Sequence, residues 1–230
     1  MKILLFGATG MVGDGVLRWL LTSPTVDHVV AVSRRPLVVQ HAKLDVVIEE
    51  DMFHLRNIGF LKGFDACFFC LGASSVGMGE AEYRRLTVDL TLAVARQLSP
   101  GNSQMVFEFI SGAGAGSEAR QMWRRVKAEA EEALLAMGLH DVYALQPGFI
   151  QPMRGSTTRH GSLRWVYALT AAIYPFLQKR FDRVVTSTDL LAKAMLELAT
   201  TGNAKKILTN SELNQLARSM GERETKSVRA

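Results

Sequence analysis

Apolar residues fall into two alternating patterns along the first two thirds of the chain. Lys2–Phe6, His28–Ser33, Leu44–Glu49, Ala66–Leu71, Met105–Ser111 and Val142–Gln146 are short runs that stay apolar at consecutive positions. Between them, Met11–Leu21, Glu80–Leu98 and Glu118–Met137 repeat apolar residues at helical spacing. Runs apolar at every position predict strands covered on both faces, and the 3.6-residue period predicts amphipathic helices. Strands alternating with helices give a parallel sheet, and right-handed crossovers make it a doubly wound α/β sheet. After Pro147-Gly148 the regularity weakens. Gln151 to Arg164 reads as a polar loop and Trp165–Gln178 as a helix. Thr186-Ser187-Thr188-Asp189 reads as an N-cap cluster before a helix over Leu190–Ala199. A short strand is expected at Lys206–Thr209, a last helix at Glu212–Ser219 and a frayed, charged tail from Gly221 to Ala230. Nothing marks a linker or a repeat, so residues 1–220 are expected to form one domain, with 151–185 as a substrate-side loop and helix.

The glycines sharpen this picture. Gly7-Ala8-Thr9-Gly10-Met11-Val12-Gly13 follows the first strand and opens the first helix. A turn this tight, with backbone N–H groups bared at a helix N-terminus, suits the pyrophosphate of a dinucleotide in a Rossmann fold. A glycine-rich turn without a ligand has the same spacing, but the complete strand–turn–helix context favours the ligand. A Rossmann strand 2 that prefers NAD(H) usually ends on an acid that binds the ribose hydroxyls. Here the chain reads Ser33-Arg34-Arg35-Pro36. Arg34 can grip a 2′-phosphate with its planar fork, and Arg35 can stack on adenine or add charge, so NADP(H) is expected ahead of NAD(H). A solvated basic turn is the alternative.

Composition adds bounds. The 230 residues are 48% hydrophobic and 21% charged, a globular balance. The net charge of +5 suits an anionic ligand, though it does not by itself separate a dinucleotide from nucleic acid or an acidic membrane. No element offers readers for a nucleic-acid groove, so no such partner is expected. The two cysteines, Cys67 and Cys70, exclude a disulfide scaffold and suggest a reducing cytoplasm. As the Cys-x-x-Cys of a strand they point to opposite faces, which speaks against a redox pair. Gly7 interrupts the N-terminal apolar run too early for a signal peptide, and Trp165 to Leu177 is too short for a membrane span. The five histidines show no ligand spacing, and no metal is expected. Self-association is left open.

Beyond the glycines, Asp51-Met52 follows strand 3, Cys70-Leu71-Gly72 follows strand 4, Ser111-Gly112-Ala113 follows strand 5 and Gln146-Pro147-Gly148-Phe149-Ile150 follows strand 6. Together these segments resemble the atypical and extended short-chain dehydrogenase/reductases, an NAD-dependent epimerase-like group that includes small Tat-interacting oxidoreductase-like proteins. The resemblance runs from about Met1 to Leu198. It implies that Gly7, Thr9, Gly10, Met11, Val12 and Gly13 hold the pyrophosphate. Asp51 and Met52 would lie beside adenine, Leu71 and Gly72 along a ribose, and Pro147, Gly148, Phe149 and Ile150 near the nicotinamide. Ser111 would orient a substrate oxygen and Lys127 would hold the nicotinamide ribose.

The resemblance breaks at one position. The family carries Tyr-x-x-x-Lys on the helix after strand 5, with Tyr as general acid/base, and this chain reads Trp123-Arg124-Arg125-Val126-Lys127. An indole N–H donates a hydrogen bond but does not exchange a proton near neutral pH. Tyr83 is a candidate substitute, with helix packing as its bland reading. Asp89 takes the position where many relatives carry Asn, unless it is a plain surface acid. Arg120, Arg124 and Arg125, with Arg154, Arg159, His160 and Arg164, read an anionic substrate or carry solvated charge. Trp165, Tyr167, Tyr174, Pro175, Phe176 and Phe181 fit core packing better than a pocket. Two readings follow: an NADP(H)-dependent oxidoreductase or epimerase-like enzyme acting on a small carbonyl or hydroxyl compound, or a non-enzymatic NADP(H)-binding redox sensor or regulatory partner.

Overall fold

The computed structural model describes residues 1–156, 174, 176–178 and 180–228. Its centre is a seven-stranded sheet in the order β3-β2-β1-β4-β5-β6-β9, every neighbouring pair parallel. The strands are β1 (Lys2–Phe6), β2 (His28–Ser33), β3 (Leu44–Ile48), β4 (Ala66–Phe69), β5 (Val106–Ile110), β6 (Asp141–Gln146) and β9 (Ile207–Thr209). The order reverses between β1 and β4, which opens a crevice at the carboxyl ends of those strands, where open α/β sheets bind ligands. The sequence predicted this sheet, and β1 and β2 match residue for residue.

The central strands are buried on both faces because their alternate residues feed two separate cores. Leu5, Phe68, Ala31 and Tyr143 pack on one face with helices α1 (Met11–Thr22), α5 (Thr188–Thr201) and α6 (Asn210–Val228). Leu4, Phe6, Cys67, Phe69, Phe107 and Phe109 pack on the other with α3 (Leu90–Leu98) and α4 (Met122–Leu135). Cys67 lies in the second core and Cys70 packs against the first. Burial pushes both thiols above their ordinary range, which favours the protonated form over the reactive thiolate.

Three differences from the sequence expectation have physical causes. The long helix expected over Glu80–Leu98 is α2 (Glu80–Arg84), a π-helical turn (Arg85–Asp89) and α3. Helical periodicity does not register one widened turn. A second, two-stranded parallel sheet pairs β7 (Phe149–Gln151) with β8 (Val185–Ser187). Strands of three residues are too short to show a period. The last helix extends to Val228, through most of the segment expected to fray. Glu, Arg and Lys propagate a helix well, and a charged run does not by itself mark a helix end.

The N-cap reading holds: Ser187 Oγ accepts from the Leu190 N–H at 3.2 Å. Most of the helix expected over Trp165–Gln178 lies outside the described residues, as do Arg159, His160, Arg164, Trp165, Tyr167 and Pro175.

Candidate functional site

The turn after β1 is shaped by two glycines that have no room for a side chain and a third that is tight against one atom. At Gly13 a Cβ would come within 2.2 Å of the Gly7 carbonyl oxygen. Gly7 itself has φ +85°, and its Cβ would press on the Cys70 backbone at 2.6 Å. These two let β1, α1 and the end of β4 pack together. Gly10 is different. It is the N-cap of α1, offers no side-chain cap, and a Cβ there would meet only the Gly7 oxygen, at 3.3 Å. The first N–H groups of α1 are therefore left for water or a ligand.

Beside this turn lie two cavities that share Arg34 and Glu50. The smaller, about 220 Å³, is walled by Thr9, Ser33, Arg34, Arg35 and Glu50. The larger, about 310 Å³, runs from Arg34 past Asp51, Met52 and Phe53 to Leu71 and Gly72. Leu86 and Leu90 from the π-turn and α3 complete it. Among the described residues neither Arg34 nor Arg35 has an ion-pair partner, and both are exposed. Asp51 is tied locally, accepting from the Phe53 N–H and bonding His54 Nδ1, which holds its carboxyl below the usual range. Glu49 is buried and accepts from the N–H groups of Arg56 and Asn57, bracing the loop. Sequence reasoning missed Glu50, because an acid at the end of β3 shows no sign of facing the end of β2.

A second group of residues gathers at the ends of β5 and β6. The Ser111 N–H bonds to the Leu145 carbonyl at 2.8 Å, and the Ala113 N–H to the Pro147 carbonyl at 2.9 Å, which joins the two loops. Lys127 is buried, donates to the Ile110 carbonyl at 2.8 Å and lies 4.6 Å from the Phe109 ring centre. Burial lowers its pKa to about 8, partly countered by Glu131. Ser111 Oγ donates to Glu131 Oε1, and Gln146 Nε2 donates to both Glu131 oxygens at 3.1 and 3.0 Å. Glu131 and Gln146 were not singled out from sequence. Glu131 stands one helical turn after Lys127, a spacing that could have flagged it.

Trp123 packs over the serine loop: a Cβ at Gly112 would lie 3.0 Å from the indole. Arg124 stacks on that indole at 5.1 Å. Arg125 donates to the carbonyls of Ala119 and Arg120 and pairs with Glu80. Of the expected basic stripe, Arg124 and Arg125 thus hold the loop and helix together.

Tyr83 is 3% exposed and sits in the core beside Phe69 and Val126. Its packing role accounts for it, and burial raises its pKa, the wrong direction for an acid near neutral pH. Asp89 pairs with Arg84 in a surface network with Glu129. Gly148 is required by packing, since a Cβ would lie 2.2 Å from the Val184 carbonyl oxygen. Phe149 is partly exposed and Ile150 packs against the first core.

Among the described residues no cluster is suited to a metal, and no helix is long and apolar enough to cross a membrane.

No family model matches the chain. It is 30% identical over 160 residues to "Protein fmp52, mitochondrial" of Emericella nidulans, covering 66% of this chain and 68% of that protein. The chain belongs to the Fmp52 family. A second member, "Protein fmp52-1, mitochondrial" of Aspergillus oryzae, is 29% identical over 216 residues, 90% of each chain. Among solved structures, this Fmp52-family chain resembles a short-chain dehydrogenase family protein from Francisella tularensis with TM-score 0.62 and 16% identity, covering 87% of this chain and 91% of that one. It also resembles the Bordetella bronchiseptica enzyme WbmF, solved with NAD+, with TM-score 0.65 and 13% identity, covering 96% and 77%. These likenesses establish the short-chain dehydrogenase/reductase and epimerase-like Rossmann fold.

The relatives' names overturn the cytoplasmic expectation, because both say mitochondrial. Two thiols without a disulfide report only a reducing setting, which does not choose between compartments.

Proposed function

We propose that this Fmp52-family protein is an oxidoreductase-like protein that binds NADP(H) in the crevice between β2, β1 and β4 and acts on a small carbonyl or hydroxyl compound. The observation that carries the reading is the pair of cavities beside the glycine turn that share Arg34 and Glu50, with two guanidiniums that have no ion-pair partner among the described residues where a 2′-phosphate would lie. The residues fit the cofactor. The bared N–H groups after Gly10 would meet the pyrophosphate, Arg34 and Arg35 the 2′-phosphate, Met52 and Leu71 the adenine and its ribose, and Lys127 the nicotinamide ribose. NAD(H) would fit the same crevice without using the arginines. A bound nicotinamide supplies hydride chemistry, and the protein's part is to orient and to move the proton. The mitochondrial names of the relatives support the same compartment for this chain.

Trp123 favours a second reading, a non-enzymatic NADP(H)-binding redox sensor or regulatory protein. The discriminating experiment measures NADPH binding beside NADPH consumption across a panel of small aldehydes and ketones. Binding with slow turnover supports the first reading, and binding with none supports the second. Absence of binding contradicts both.

A further inference from the structure

Glu131 is a buried carboxylate fixed from two sides. It is 2% exposed, on the face of α4 that carries Lys127. Gln146 donates to both of its oxygens, and Ser111 Oγ donates to one of them. The carboxylate plane is therefore set, with Oε1 aimed at the serine. Ser111 stands just past the carboxyl end of β5, on the edge of the sheet where the crevice opens. A serine hydroxyl that donates to Glu131 keeps lone pairs free to accept from a second oxygen.

We propose that Ser111 and Glu131 form a proton relay, in which Glu131 is the positioning and proton-holding residue behind Ser111 at a site whose tyrosine position is Trp123. The proposal rests on the NADP(H) oxidoreductase reading. When an alcohol is oxidised, its O–H bond breaks and the proton passes to Ser111 Oγ, while the serine proton passes to Glu131 Oε1. In the reducing direction the alkoxide takes the Ser111 proton and the serine oxygen takes the proton of the Glu131 carboxyl, leaving a carboxylate. The relay moves only the proton; the electron pair travels with the hydride that the nicotinamide dinucleotide carries.

The neighbours of Glu131 suit it to this work. The residue before Pro147-Gly148 is Gln146, which donates to the carboxylate without adding a charge. From β6 the group that faces Glu131 is Gln146, and from β5 it is Ser111, both neutral. The charged groups are on its own helix. Lys127 lowers the Glu131 pKa from a position turned toward the Ile110 carbonyl, and Glu132 raises it. Burial is the largest influence and pushes the carboxyl above its ordinary 4.5. The hydrogen bonds from Ser111 and Gln146 pull the other way, toward the ionised form that accepts the serine proton.

The experiment uses the full chain with carbon-13-labelled glutamate side chains, in wild type, Glu131→Gln, Glu131→Asp and Gln146→Arg. Carboxyl titration is followed by NMR beside NADPH binding by calorimetry and the pH profile of turnover. The expected result is a carboxyl titrating above the ordinary glutamate value, lost in Glu131→Gln and shifted down in Gln146→Arg. NADPH affinity stays within about two-fold of wild type in Glu131→Gln, kcat falls by roughly 10²-fold at unchanged KM, and Glu131→Asp restores part of it. Wild type that binds NADPH but shows no raised carboxyl titration that Glu131→Gln removes, beyond that of the buried Glu108, overturns the relay and leaves the functional reading standing. So does an unaltered kcat and pH profile in Glu131→Gln. Wild type that fails to bind NADPH overturns the functional reading, and the relay with it.

Discussion

The two halves of the sheet meet the crevice differently. On the β1–β4 side, backbone does the work: glycines let strands and helix close up, N–H groups are bared, and two arginines stand exposed beside open cavities. On the β5–β6 side the polar groups are turned inward. Ser111, Lys127 and Glu131 are each less than 10% exposed and bonded to one another or to backbone, under a loop that Trp123 covers. On the proposed reading the first half holds the anionic cofactor, whatever the substrate, and the second handles the proton. Open backbone and exposed charge suit a ligand that comes and goes, and buried, mutually bonded groups suit a proton held in place.

The largest expected effect separates the two kinds of glycine. Gly13→Val drives a side chain into the Gly7 carbonyl and should cost about 3 kcal/mol or more of stability, as backbone overpacking does. Gly10→Val should fold with a much smaller loss of stability yet lose NADPH binding, because its Cβ makes one tight contact, with the Gly7 oxygen at 3.3 Å. Thermal melts run beside NADPH titrations check both, and a folded Gly10→Val that keeps its affinity breaks the assignment of the turn.

The next effect lies on the other half. Trp123→Tyr places a phenol at the helix position where the short-chain dehydrogenase/reductase pattern has its acid, and turnover of a small carbonyl should rise by about 10²-fold. Steady-state NADPH oxidation measures it; an unchanged rate would mean that the missing phenol is not what limits this half.

Glu108 tests what burying polar groups on β5 costs. Both its oxygens are buried with no partner among the described residues, in the row between Phe68 of β4 and Tyr143 of β6. Burial raises its pKa well above 4.5. The folded state then holds a proton that the unfolded chain releases, so this residue's contribution to stability is lost as pH rises above 4.5 toward the raised value. Lys127 works oppositely. Its folded pKa of about 8 lies below the ordinary 10.5, so between those values the unfolded chain binds more protons and stability rises with pH. Glu108→Met should stabilise by about 1–3 kcal/mol at neutral pH and flatten the decline above pH 4.5. Denaturant unfolding across pH reads both, and destabilisation by Glu108→Met would show that the carboxyl has a partner after all.

The smallest effect returns to the cavities. Glu50 lines both beside Arg34, so Glu50→Gln should tighten NADPH by about two- to five-fold, the range of an exposed charge pair. Weaker NADPH binding would place the acid on a ribose hydroxyl instead.

The same contrast explains what the sequence made legible. Strand 1, the glycine turn and the Arg34-Arg35 pair are local features. Each is contiguous, and its role follows from backbone geometry and charge, so β1, β2 and the cavity wall at Asp51, Met52, Leu71 and Gly72 were readable. The Ser111–Glu131–Gln146 cluster is assembled from β5, α4 and β6, and no short motif joins its members. Tyr83 was left between a catalytic and a packing reading because periodicity gives a helix but not which of its faces is buried under the next helix, and its burial fits the packing reading. The π-turn and the short β7–β8 pair fell below the length at which a period shows.

The central claim is that the β1–β4 half is built for NADP(H), and paired calorimetric titrations of NADPH and NADH into wild type and Arg34→Ala test it most directly. The account predicts that NADPH binds wild type more tightly than NADH by at least about ten-fold, and that Arg34→Ala removes most of the difference, about 1.5–3 kcal/mol for a charge-assisted contact. Equal affinities in wild type, or tighter binding of NADH, would contradict it.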